Sequence, residues 1–144
     1  MVVQISLPTE PQLQNTFKLT NNEVLNPRYI FAILQRAKYG IFIDSFAQHA
    51  WTALNKKNAL VLWGSTNPKS LGYKTNINMV KENSCINLHC NRPCTHLGDI
   101  LGNGSVWKCL YNTKCMDFKV NDIIDKFLGI VDLEKQNENS NNET

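Results

Sequence analysis

The sequence predicts an α/β fold, a parallel sheet flanked by helices, on three observations. Ile41-Phe42-Ile43 is a short apolar strand that runs into Asp44 and the helix-capping Ser45, and it opens an Ala-rich stretch through Leu54. A second apolar strand, within Ala59 to Trp63, ends in the loop Gly64-Ser65-Thr66-Asn67-Pro68. Apolar runs then alternate with helical patterns at the spacing of parallel βαβ units. Such units build a Rossmann-like sheet, and open α/β sheets bind ligands at the carboxyl ends of their strands.

The elements follow in order. Val2 to Leu7 reads as a buried strand closed by Pro8, and Thr9 to Thr16 as a short helix with Thr9 as cap and Glu10 in its first turn. Phe17 to Leu19 is a marginal strand, followed by the turn residues Thr20-Asn21-Asn22. Asn26-Pro27 starts a helix, because Asn caps and Pro sits where its missing N–H does no harm. Its apolar stripe is Ile30, Phe31, Ile33, Leu34 and Ala37, and Gly40 stops it. In the next helix Phe46, Ala50, Ala53 and Leu54 keep helical spacing while Ala47 and Trp51 widen the apolar face, as suits a helix buried against a sheet. Leu60 to Trp63 and Thr75 to Val80 are the remaining strands. Periodicity then vanishes from Lys81 to Asp117, where cysteines appear. Val120, Ile123, Ile124, Phe127 and Leu128 give a last amphipathic helix ending near Gly129, and the polar tail is expected to be disordered. The organisation expected is therefore a core over 1–80, a cysteine-rich loop region over 81–117, a helix over 118–132 packing on the core, and a tail over 133–144.

Size and composition bound the function. A chain of 144 residues is one domain's worth, with 42% hydrophobic content. Net charge is +3, without a Lys/Arg block. Lys56-Lys57 is a basic doublet read as a solvated loop, and nucleic acid is not an expected partner. Asn supplies much of the polar surface, a feature attributed to coding composition. No segment reaches the roughly 20 apolar residues that span a bilayer, so membrane contact is expected to be peripheral at most. The N-terminus lacks a signal-peptide pattern. A cytoplasmic setting follows, in which five cysteines argue against a disulfide framework.

The segments Asp44-Ser45-Phe46-Ala47-Gln48-His49 and Leu62-Trp63-Gly64-Ser65-Thr66-Asn67-Pro68 resemble the C-terminal half of glycosyltransferase family 9, which includes the ADP-heptose:lipopolysaccharide heptosyltransferases. The family pattern is Asp-Ser/Thr-Gly-x-x-His after a strand, an Ala-rich helix, a second strand, and Gly-x-Thr-x-Pro. The helix from Pro27 to Lys38, the run Cys90-Asn91-Arg92-Pro93-Cys94, and Cys109 with Cys115-Met116 before a terminal helix extend the likeness over about Val2 to Leu128. The resemblance implies one Rossmann-like half of a GT-B fold. That half binds a nucleotide-diphosphate sugar, and an N-terminal half, absent here, holds the glycan or glycolipid acceptor and the catalytic base.

By that resemblance Asp44 accepts hydrogen bonds from donor-sugar hydroxyls, or else it caps the helix. Ser45 and the N–H groups of Phe46 and Ala47 face the diphosphate, using helix-end charge in place of a metal. Phe46 departs from the family's Gly, which leaves the donor's identity open. His49, one turn after Ser45, bonds the diphosphate or steadies the Asp44 loop, unless it is a core residue. Gly64, Ser65 and Thr66 offer backbone and hydroxyl donors, or form a simple turn. Glu10 stands where relatives have a Glu that reaches the ribose. No cofactor is expected for catalysis. Cys90, Cys94, Cys109 and Cys115, with Cys85, His89 and His96 nearby, supply enough ligands for a structural zinc that would order the aperiodic region, although cysteine is also a common small buried residue.

Two functions are thus expected from this sequence. The first is the donor-binding half of an inverting glycosyltransferase, inactive alone: with an acceptor half on a separate chain it forms a two-chain enzyme, and without one it binds nucleotide sugar without turnover. The alternative is a non-catalytic α/β interaction module with a structural zinc site.

Overall fold

The computed structural model describes residues 1–6, 9–19, 23, 26–64, 66–81 and 114–141. Strands β1 (Val2–Gln4) and β2 (Thr16–Lys18) pair in parallel. A second parallel sheet has the order β3 (Ile41–Ile43), β4 (Leu60–Trp63), β5 (Ile77–Val80). Between them run helices α1 (Pro27–Arg36), α2 (Phe46–Ala53) and α3 (Pro68–Leu71). A 3-10 turn at Lys114–Met116 precedes the long helix α4 (Val120–Asn141). The α/β class and the parallel pairing are as expected. Among the described residues, however, the strands form two small sheets and not one.

Register explains the core. Phe42 pairs with Val61, and Val61 with Asn78, so these three share one face of the larger sheet. On that face the Phe42 ring meets Trp51 of α2, with centroids 5.5 Å apart. Trp51, Val61 and Trp63 are buried with Ile30 and Leu34 of α1 and with Ala50 and Ala59 in one cluster. Each of the two tryptophans contributes on the order of 3–5 kcal/mol against truncation to Ala. Their indoles are also satisfied: Trp51 Nε1 donates to the Lys57 carbonyl at 3.2 Å and Trp63 Nε1 to Asn78 Oδ1 at 2.8 Å. The Lys56 ammonium sits over the Trp51 ring, 4.6 Å from its centroid, so half of the basic doublet packs on the core.

Several boundaries differ from expectation. Residues 9–15 form turns and irregular backbone, not a helix. The Gln4 side chain claims their polar groups: its oxygen accepts from the Leu13 N–H at 2.8 Å and from Thr16 Oγ1 at 3.2 Å, and its nitrogen donates to the Pro11 carbonyl at 2.9 Å. Asn15 then turns the chain into β2 with φ 58°. Helix α1 starts as predicted, with Asn26 Oδ1 accepting from the Arg28 N–H, but it ends at Arg36. Gly40 does not stop it. A Cβ there would lie 2.4 Å from the Phe42 ring, so Gly40 makes room for the core aromatic. Pro68 does not merely end a strand: Asn67-Pro68 repeats the Asn-Pro start of α1 and opens α3, with Asn67 Oδ1 accepting from the Lys69 N–H at 2.9 Å.

The last helix runs through Gly129 to Asn141, well into the segment expected to be a disordered tail. It is anchored by Ile130, which is buried, and by Phe127, whose ring meets Tyr39 edge-on at 5.8 Å. The anchors flank Gly129 on both sides, which is why the glycine does not end the helix.

Two glycines make opposite predictions. A Cβ at Gly72 would lie 2.5 Å from the Pro68 carbonyl oxygen, a backbone atom, whereas one at Gly129 would meet nothing within 4 Å. Gly72→Ala is expected to destabilise the fold by about 1–3 kcal/mol, and Gly129→Ala to stabilise it by about 0.5–1 kcal/mol. Denaturant unfolding of both variants measures the contrast.

Candidate functional site

Asp44 and Ser45 lie between the carboxyl end of β3 and the first turn of α2. Parallel pairing places the end of β4, and with it Gly64 and Thr66, on the same edge of the sheet. The expected gathering of loops therefore holds for these residues. Ser65 lies outside the described residues.

Ser45 occupies the N-cap position with extended backbone, but its hydroxyl makes no cap hydrogen bond. Among the described residues neither the Asp44 carboxylate nor the N–H groups of Phe46 and Ala47 have a hydrogen-bond partner. The first N–H groups of a helix have no intrahelical acceptor, and they carry its positive end. This corner of the sheet thus combines unspent amides, an unspent hydroxyl and one carboxylate. It suits a ligand that joins anionic oxygens to hydroxyl groups. The Phe46 ring packs edge-on against Phe31 of α1, with centroids 5.7 Å apart.

Other predicted residues are placed differently. A Cβ on Gly64 would lie 2.8 Å from Met116 Sδ and 3.7 Å from Cys115 Sγ. The absent side chain therefore admits the 3-10 turn against the end of β4. Glu10 sits in an exposed bend near β2, where its carbonyl accepts from Lys18 Nζ. Cys115 is half-buried beside β4, while Cys90, Cys94 and Cys109, with Cys85, His89 and His96, lie outside the described residues. Among the described residues no three metal-ligating side chains come together. Lys81, directly after β5, reaches the Asp117 carboxylate at 3.1 Å. That exposed pair is worth little by itself, yet it brings the two flanks of residues 82–113 together.

His49 does not bond Asp44. Its Nδ1 lies 3.0 Å from the Tyr73 hydroxyl, and its Nε2 lies 3.1 Å from the side-chain nitrogen of the fully buried Gln48. Tyr73 is held in turn by Asn78, whose Nδ2 donates to the Tyr73 carbonyl at 3.0 Å while its oxygen accepts from Trp63. Asn76, also buried, accepts from the Ala59 N–H and donates to Thr52 Oγ1 of α2. Gln48, Tyr73, Asn76 and Asn78 were not singled out from the sequence. A glutamine beside His49 in a largely apolar helix, and two asparagines alternating with Ile77 and Met79, were the available signals.

No family model matches the chain, and no curated protein or solved structure matches it. Among the described residues, no helix is long and apolar enough to cross a membrane.

Asn78 joins the end of β4 to the Tyr73 loop. Asn78→Ala strands the buried Trp63 indole N–H and is expected to cost about 1–3 kcal/mol, measured by thermal or denaturant unfolding.

Proposed function

We propose that this chain is a family 9-like donor-binding domain, which holds a nucleotide-diphosphate sugar for transfer to a glycan or glycolipid acceptor. The observation that carries the reading is the corner between β3 and α2. There Asp44 and the uncommitted Ser45 hydroxyl stand at a helix end whose Phe46 and Ala47 amides have no acceptor among the described residues. The diphosphate fits the helix end, where backbone N–H groups and the macrodipole both favour negative charge. Asp44, an acceptor-only group when ionised, reads sugar hydroxyls beside it. Thr66 borders the same edge. Phe46, where the family pattern has Gly, packs its ring against Phe31 of α1.

On this reading the domain contributes to transfer by orienting the donor and by stabilising the departing diphosphate with fixed dipoles. The acceptor and the catalytic base belong to a second half of the enzyme. A structural zinc held by Cys115 together with Cys90, Cys94 and Cys109 is a separate proposal. Cys115 lies close to Gly64, so the clip would brace the end of β4.

Isothermal titration with ADP-, UDP- and GDP-sugars tests the donor site. Binding of one of them is expected, weakened about tenfold or more by Asp44→Ala, the size of a lost charge-assisted hydrogen bond. Failure to bind any of the three would leave the interaction-module alternative. Metal analysis of the purified protein tests the clip, with one zinc per chain expected and a clearly substoichiometric content removing it.

A further inference from the structure

Helix α4 is apolar over a wider arc than the described residues cover. Ile123 and Phe127 are half-buried and Ile130 is fully buried, with the Phe127 ring against Tyr39. At 3.6 residues per turn, Val120, Ile124 and Leu128 fall directly beside that docked row, within about 80° of arc. They are large and apolar, yet 68%, 46% and 52% exposed. Spaced four residues apart, they form one ridge along two turns of the helix. Tyr39 leads into β3, where Ile41 and Ile43 are exposed as well. A single exposed apolar residue needs no explanation, but a ridge at helical spacing does.

The border of the ridge carries a charge. Asp125 and Asp132, two turns apart, stand in one column past Leu128, on the side away from the docked row. Among the described residues Asp125 has no ionic partner, and Asp132 is reached by the exposed Lys135 at 3.8 Å. Lys126 lies on the opposite side of the helix from the ridge. The helix carries five acidic residues against two lysines, in a chain of net charge +3, so its charge is opposite to that of the rest. A second copy of this chain does not match the border. An antiparallel pair of α4 helices related by two-fold symmetry sets the two Asp125–Asp132 columns face to face, where like charges repel. A parallel pair sets each column against the flank that the other copy docks on its own domain.

We propose that the ridge of Val120, Ile124 and Leu128 docks a helix of another protein, apolar along one face and bordered by Lys or Arg residues that meet Asp125 and Asp132. Such a helix lays its i, i+4 and i+7 side chains beside the ridge and removes it from water. The acidic border adds little affinity as exposed charge pairs, but it rejects an acidic partner and fixes which way the helix lies. This surface is separate from the corner between β3 and α2, and the inference does not rest on the donor-site reading.

The test uses the full chain and two labelled helical peptides that share one leucine face, bordered by lysine in the first and by glutamate in the second. Fluorescence anisotropy is expected to show the lysine peptide binding about tenfold more tightly, with the gap narrowing at high salt. Ile124→Gln combined with Leu128→Gln removes exposed apolar surface, so the melting curve should be kept while binding of the lysine peptide falls about tenfold or more. Asp125→Asn combined with Asp132→Asn should instead bring the two peptides to similar affinity. No binding of the lysine peptide, equal binding of both peptides by the unaltered chain, or binding indifferent to the glutamine pair would overturn the proposal. So would a dimer of the unaltered chain, seen in sedimentation and dissolved by the glutamine pair, because the ridge would then belong to a second copy.

Discussion

Strand β4 is the constraint on which the rest of this structure depends. It is paired on both sides, to β3 and to β5, and Leu60, Val61 and Trp63 are fully buried. A strand in that position needs every backbone group paired along its edges and apolar cover on its faces. Helix α2 supplies cover through Trp51, and the end of β4 is closed by the Lys114–Met116 turn against Gly64. Because parallel neighbours end on the same edge, pairing β3 to β4 also puts Asp44 and Ser45 on the edge that carries Gly64 and Thr66. The gathering of these residues on one edge is a by-product of how the core is satisfied.

The same economy governs the polar interior. Asn76 and Asn78, on or next to β5, place amide groups where a purely apolar strand would leave the Ala59 N–H, the Trp63 indole and the Tyr73 carbonyl to find partners elsewhere. They fasten the loop before β5 to both β4 and α2, and that loop delivers Tyr73 to His49. Gln48 is the one member of this network with an unmet buried atom. Networks of this kind rigidify what they join, so the histidine that the motif pointed to is held to the core and not to the Asp44 loop.

Asparagine shows how much a sequence can hide in composition. Asn26 and Asn67 cap helices, Asn15, Asn55 and Asn58 take left-handed backbone at φ 57–59°, and Asn76 and Asn78 bond inside the core. Attributing the residue to coding bias missed these roles at every one of these positions but Asn26, whose cap was read from Asn26-Pro27. Asn-Pro was legible at α1 and equally present at α3, where the short loop after β4 drew attention to the turn and away from the cap. The helix expected after β1 failed for a reason no local pattern contains: Gln4, several residues upstream, outbids the helix for the backbone groups at Leu13 and Pro11.

Local chemistry in the chain was sufficient to determine the strands at Ile41–Ile43 and Leu60–Trp63, the burial of Trp51, the start of α1 and the α/β class. Each is set by hydrophobic period or by a cap within a few residues, and at these positions the tertiary context does not override the local signal. What only the folded arrangement decided are the division of the strands between two sheets, the passage of α4 beyond Gly129, the use of Gly40 and Gly64 as space for Phe42 and Met116, and the attachment of His49 to Tyr73. All of these join residues distant in the chain or answer to atoms brought close by packing, and no one-dimensional spacing encodes which atoms will meet.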